Sequence, residues 1–393
     1  MTWREAVRRR AIGRRGAILT AIAAILWLIG AVVEPRRAAQ AYLVAYVTCV
    51  TVVLGALAMV MMAHVTAAAW FVVLRRRAED IVATLPVLAV LFIPVAVAVH
   101  QLYPWANPAD LAATVATNVR LKQAYLNVPF FIVRAVIYWC CWIALGATLR
   151  RASFRQDTRP HPALVRRMYR TSAGGLVLLA FTMSFAAFDW MMSLEPTWYS
   201  TVYGVYVFAG GVLAALGLIA ISASRAERAG AIPWANADRF HALGKLELTF
   251  VLMWAYMGFV QFLIIWIADI PTEAAWYATR EHAGWGAMAL VLMIGNFALP
   301  FVLLLLRAVK RSILAMTALG WWLLVMHYVD MYWLTLPAST PDNPRPSWLD
   351  LVAIIALGAG ITMYASWRRG SEAAVPLGDP ALAESRGYET EDL

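Results

Sequence analysis

The sequence predicts an all-α integral membrane protein of ten transmembrane helices. They read as two four-helix bundles, helices 2–5 and 6–9, with two peripheral helices. Three observations predict this. Of 393 residues, 62% are hydrophobic and only 14% are charged, where a soluble domain carries about 25% charged residues. Ten apolar runs are long enough, or nearly so, to cross a hydrocarbon core of roughly 30 Å. None alternates with period two, so each must satisfy its backbone internally as a helix. Finally, helices four apart share wording. The fifth ends DWMMSLEP (Asp189 to Pro196) and the ninth DMYWLTLP (Asp330 to Pro337), each with an Asp seven residues before a Pro. NVPFF at Asn127 and NFALPF at Asn296 open the fourth and eighth, each with a Pro followed by Phe.

In order along the chain, residues 1–15 (MTWREAVRRRAIGRR) form a basic arm. The arm looks like the basic region of a signal peptide, but the apolar run after it lacks a small-residue cleavage site and is followed by PRR, so it reads as a retained first helix. The runs fall at about 16–33, 41–72, 81–99, 127–149, 172–194, 201–223, 242–268, 283–306, 313–336 and 348–367. Residues 16–367 thus make one membrane domain. Residues 368–393 follow as a tail, and from Gly370 to Leu393 the composition reads as mobile. The longest polar stretches between helices, 100–126 and 150–170, leave no room for a large extramembrane domain.

Orientation follows from lysine and arginine. The N-terminal side holds six of them in 1–15, three in 75–77, seven in 150–170, four in 225–245, three in 307–311 and three in 368–386. The opposite side holds Arg36, Arg37, Arg120, Lys122, Arg280 and Arg345, and Arg134 lies within a helix. By the positive-inside rule both termini are expected in the cytoplasm. The same asymmetry accounts for the net charge of +10 as topology, with some attraction to anionic lipid, and removes the nucleic-acid reading.

A charged group in the bilayer costs about 2.5–3.5 kcal/mol on insertion scales, so each one asks for a reason. Asp189 and Asp330 read as lying roughly 8–10 Å below the outer helix ends, from a rise of 1.5 Å per residue. His327, three residues before Asp330, shares its face. His64 and His327 are expected near the midplane, and Gln261 roughly 12 Å from the outer end of helix seven. HALGKLELTF opens helix seven on the inner side, with His241 and Lys245 spaced i,i+4 and Glu247 on another face. Arg134 and Tyr138 share a face of helix four.

Each of these has a plain structural alternative. Lys245 can snorkel to the headgroups, Glu247 can pair with a loop arginine, and His64 can bond a backbone carbonyl. Asp189 can cap the SLEP turn or pair with Arg134. A His with an acid one turn away, as at His327 and Asp330, can pass a proton or accept one from a quinol hydroxyl. The three cysteines, Cys49, Cys140 and Cys141, make no CxxC or CxxCH pattern, which argues against an iron–sulfur cluster, a c-type haem or a disulfide framework. Bis-histidine haem ligation would need His64 and His327 to meet. No metal-ligand spacing, phosphate loop, dinucleotide fingerprint or nucleophile motif is present.

Several long stretches together carry a resemblance: FDWMMSLEPTWYSTVYGVYVFAGG (188–211), HALGKLELTFVLMWAYMGFVQFLIIWIADIPTE (241–273), MHYVDMYWLTLP (326–337) and WFVVLRRRAE (70–79). They resemble the NrfD-like superfamily of polysulfide-reductase membrane subunits over roughly 40–340. Within it they look most like the ActF type, the second quinone-binding-type membrane subunit of alternative complex III, a bacterial quinol:cytochrome c oxidoreductase. The resemblance implies ten helices with bundles 2–5 and 6–9 and no redox cofactor bound by the chain itself, although quinone or menaquinone is a possible ligand. It implies a bacterial inner-membrane location beside a second NrfD-like subunit, an iron–sulfur protein of the molybdopterin type and c-type cytochromes. It also implies a role in quinol binding or proton conduction for His64, Asp189, Lys245, Glu247, His327 and Asp330; by depth and spacing Gln261 joins them as a candidate, with Arg134, Tyr138 and His241 in support. Two other readings stand beside this: a secondary transporter with a site at His64 and His327, and a scaffold subunit anchored by Trp198, Trp276 and Trp285.

Overall fold

The structure, a computed structural model, describes residues 3–232, 234–369 and 372–389. Ten helical spans carry the fold, and no strand occurs among the described residues. They are α1 (Gly16–Val33), α2 (Pro35–Val65), α3 (Ala69–Val97), α4 (Val128–Thr158), α5 (Pro162–Leu194), α6 (Tyr203–Arg228), α7 (Ala237–Ala268), α8 (Gly284–Leu305), α9 (Ile313–Ala338) and α10 (Trp348–Arg369). Each is long and apolar enough to cross a bilayer. Of the predicted arm 1–15, the backbone from Trp3 continues α1 upstream of its apolar part. The arm's side chains lie outside the described residues.

The spans group as the sequence predicts. α2 packs on α3 and α5, and α4 on α5 and α3, while α6 packs on α7 and α9, and α8 on α7 and α9. The two bundles meet along α2 and α6, the two most buried spans. Glycines permit that approach. A Cβ placed on Gly55 of α2 would lie 2.3 Å from the Gly211 carbonyl oxygen of α6, and within the second bundle one on Gly320 of α9 would lie 2.6 Å from that of Gly217 on α6. Backbones that close gain dispersion contact where lipid supplies no hydrophobic drive. α1 and α10 sit outside the bundles, packed chiefly on each other and then on α2. An ion pair between Arg37 and Asp350 joins the starts of α2 and α10.

Local chemistry sets the helix ends. Asn127 caps α4 by accepting the Phe130 N–H at 2.9 Å, and Asn236 caps α7 by accepting that of Arg239 at 3.3 Å. α2 ends earlier than the predicted residue 72. Ala67 adopts φ 47° and the Ala68 N–H reaches back to the Ala63 carbonyl at 3.0 Å. This six-to-one closure is usually built on glycine, so no residue type in the sequence announces it. α3 breaks into short helical pieces at Leu85–Val90 and Ile93–Val97, each with a proline in its first turn. α8 widens into a π turn over Met293–Ala298, where Pro300 has no N–H to offer the Asn296 carbonyl. Asn296 therefore lies inside α8 while Asn127 opens α4, so the NVPFF and NFALPF stretches do not occupy equivalent places.

The tail corrects another expectation. Residues 372–389 are seated against the basic face, where the α3 start, the α4 end and the α10 end converge. Glu372 pairs with Arg150, Asp379 pairs with Arg75 at 2.7 Å, and the Ala374 carbonyl accepts from Arg77 at 3.2 Å. Val375 and Leu382 are buried. The run of acids and small apolar groups that looks mobile in the sequence meets complementary arginines, which sequence order places 222 or more residues away.

Candidate functional site

Each bundle holds one buried aspartate near the face opposite the tail, and their surroundings differ in one decisive respect. In α2–α5, Asp189 accepts two hydrogen bonds from Arg134, from Nε and from a terminal nitrogen, each at 2.8 Å. The Tyr138 hydroxyl donates a third at 2.8 Å. Arg134 also donates to the Tyr125 carbonyl at 2.9 Å and stacks over the Tyr125 and Phe130 rings at 3.8 and 4.3 Å. The bidentate geometry and aromatic walls make this a closed charge pair. Of the alternatives for Asp189, pairing with Arg134 is the one observed.

In α6–α9, Asp330 is fully buried and accepts from the Tyr206 hydroxyl at 2.6 Å and from the Trp254 indole N–H at 3.0 Å. Among the described residues it has no cation partner. His327 lies one turn away. Its Nε2 is 2.8 Å from the Thr51 hydroxyl of α2, and its Nδ1 is buried without a hydrogen-bond partner. Gly210 of α6 leaves the space beside them: a Cβ there would lie 3.4 Å from His327 Nδ1 and 3.5 Å from an Asp330 oxygen. The acid and the imidazole therefore both border Gly210.

Glu247 is the second unusual acid. It is fully buried, and neither carboxylate oxygen has a hydrogen-bond partner among the described residues. It does not pair with a loop arginine. A lone buried carboxylate is among the costliest groups a protein can hold. Glu247, Trp254 and Gln261 are seven residues apart in turn, so they line one face of α7 at intervals of roughly 10 Å. All three are buried. Gln261 accepts from Ser200 at 2.9 Å and donates to the Tyr277 hydroxyl at 3.1 Å. Nearby, Arg280 donates to Glu195 at 2.6 Å and to the Leu334 carbonyl at 3.2 Å. A polar file thus runs through α6–α9 from Glu247, past Asp330 and His327, to a hydrogen-bonded group at the far face.

The remaining candidates fall elsewhere. His64 is in the last turn of α2, 3.3 Å from Ser172, not at mid-depth. Thirteen residues separate it from Thr51, the partner of His327, or roughly 20 Å of helix. The two histidines therefore cannot share a haem iron or line one transport site. Lys245 is exposed and His241 is buried beside it, while Glu247 faces the bundle interior. The three therefore do not share one face. Asp189 and Asp330 share no partner. Tyr206, Trp254, Thr51 and Tyr277 were not singled out in the sequence. The seven-residue ladder on α7 signals Trp254, but nothing local signals Thr51 or Tyr206. A cavity of about 390 Å³ opens at the far face, lined by Arg36, Gln40, His100, Asp110, Thr335 and Ser339 among others. Thr335 is five residues beyond Asp330 on α9, roughly 8 Å.

Comparison of the sequence with protein-family models and with curated proteins finds no match. Fold and site define a class: a polytopic α-helical membrane protein of two bundles, one holding an aspartate paired with an arginine and the other two buried acids, Glu247 and Asp330, with no cation partner among the described residues.

Proposed function

We propose that the chain is the NrfD-like membrane subunit of a bacterial respiratory quinol:cytochrome c oxidoreductase, and that it conducts protons through α6–α9. The single observation that carries the reading is the Glu247–Trp254–Gln261 file, with Asp330 and His327 opening onto it. Buried acids without cations have a reason to exist where they exchange protons, since as fixed structural groups they only cost stability. Glu247 takes up a proton from the basic side, expected to be cytoplasmic. Asp330, held by Tyr206 and Trp254, passes it on with His327. The polar cavity beyond Thr335 supplies water on the far side. Transfer across each interval of roughly 10 Å takes intervening water. Quinol oxidation and electron transfer belong to the companion subunits: the second NrfD-like protein, the molybdopterin-type iron–sulfur protein and the c-type cytochromes. The closed Arg134–Asp189 pair gives α2–α5 the scaffold part.

The test is the assembled complex in proteoliposomes, with quinol-driven cytochrome c reduction and proton release followed together. Asp330→Asn and Glu247→Gln are expected to lower proton release per electron while the complex still assembles. An unchanged stoichiometry in both variants removes the proposed role.

A further inference from the structure

A second feature lies at the start of α7, just before Glu247 and on a different face of the helix. The linker Arg307–Arg311 between α8 and α9 folds against the first turns of α7. Gly244 makes the contact possible: a Cβ there would lie 2.7 Å from Lys310 Cγ, so the lysine stem runs directly over the glycine. This brings Lys310 beside Lys245, and His241 feels the charges of Lys245, Lys310, Arg307 and Arg311 together. Arg311 is paired with Asp238 at 2.7 Å. Neither lysine has an ion-pair partner among the described residues. The His241 side chain is only 6% exposed, and its Nδ1 has no hydrogen-bond partner.

The cluster sits over the early turns of α7. Like charges gathered there repel, and burial together with Lys245 pushes the Lys310 ammonium below its usual range. An anion would relieve both. The face of α7 that carries Lys245 continues as exposed Leu252, Tyr256 and Phe259, and α8 presents exposed Val302, Leu305 and Leu306. These apolar surfaces flank the cluster on its membrane side.

We infer that His241, Lys245 and Lys310 form a binding site for the phosphate of an anionic membrane lipid, with the acyl chains lying along α7 and α8. Basic pockets between transmembrane helices recognise such headgroups by charge, and each basic side chain adds several-fold in affinity. Lys245 and Lys310 approach the phosphate from two elements, and His241 contributes a hydrogen bond from beneath.

The experiment uses the full chain in detergent and native mass spectrometry with phosphatidylglycerol or phosphatidylcholine added. Wild type should retain phosphatidylglycerol over phosphatidylcholine. The Lys245→Gln/Lys310→Gln variant should lose that preference by about tenfold or more. Two controls separate a local site from general charge. Arg166→Gln/Arg170→Gln removes the same charge from exposed positions on α5 and should leave retention unchanged. Lys245→Arg/Lys310→Arg should restore it. Equal retention by wild type and the glutamine variant, with both folded by size exclusion, overturns the site. Displacement of the lipid by inorganic phosphate at millimolar concentration assigns the pocket to a soluble anion and overturns the lipid reading.

Discussion

The ion pair in the first bundle offers the most direct measure of how the two halves differ. Replacing Arg134 with Leu leaves the Asp189 carboxylate at 1% exposure with one donor, Tyr138, in place of three. Breaking a buried pair from one side costs about 3–5 kcal/mol, because the remaining charge is uncompensated. Replacing Asp189 with Leu should cost less, about 2 kcal/mol. Arg134 keeps the Tyr125 carbonyl and its two aromatic rings, and sits six residues from the start of α4, within reach of the headgroups. The double variant Arg134→Leu/Asp189→Leu removes both charges and should return to within about 1 kcal/mol of wild type, as apolar replacements of buried pairs often do. The coupling energy is then about 4 kcal/mol or more, well beyond the additivity expected of independent sites. Unfolding in mixed detergent micelles, followed by tryptophan fluorescence for all four proteins, measures it. Additive single effects would refute the view that this aspartate is held for structure, and so would a double variant less stable than either single one.

Three further outcomes follow from other parts of the molecule. Glu247→Leu should raise stability in the same unfolding assay by about 1–3 kcal/mol, because it removes an unpartnered buried carboxylate, while abolishing proton uptake in the reconstituted complex; a loss of stability would point to an unseen partner. Gly55→Val forces side-chain atoms into the Gly211 backbone and should cost about 1–3 kcal/mol or more, read as a lowered melting temperature against a Gly174→Ala control, where the added Cβ meets nothing within 4 Å. Asp379→Asn removes the carboxylate that pairs with Arg75, and limited trypsin digestion should then cut the tail after Arg386 faster than in wild type; an unchanged rate would show that Val375 and Leu382 hold the segment by themselves.

The sequence reveals most where one residue type has one physical consequence. Apolar length gives the ten spans, and the repeated Asp before Pro gives an aspartate in each bundle near the same face. Arg134 and Tyr138 on one face of α4 already point to a partner, and Asp189 is the nearest acid of suitable depth. The sequence is silent where meaning depends on distant chain. Asp189 and Asp330 look alike in wording, yet one meets Arg134 and the other Tyr206 and Trp254. His64 is misplaced because the α2 end rests on Ala67 in a left-handed conformation, which alanine does not advertise. The tail is misjudged because its ordering comes from arginines on α3 and α4.

The pairing of α1 with α10 bears on how the molecule is made. A ribosome releases α1 before α10, so α1 enters lipid long before its main neighbour exists. Meanwhile α1 touches little besides α2, and Gly30, which fits beneath Leu349, waits with an open notch. Truncation anywhere before residue 348 would strand α1 without its main mate and leave quality-control proteases a hallmark of incomplete synthesis.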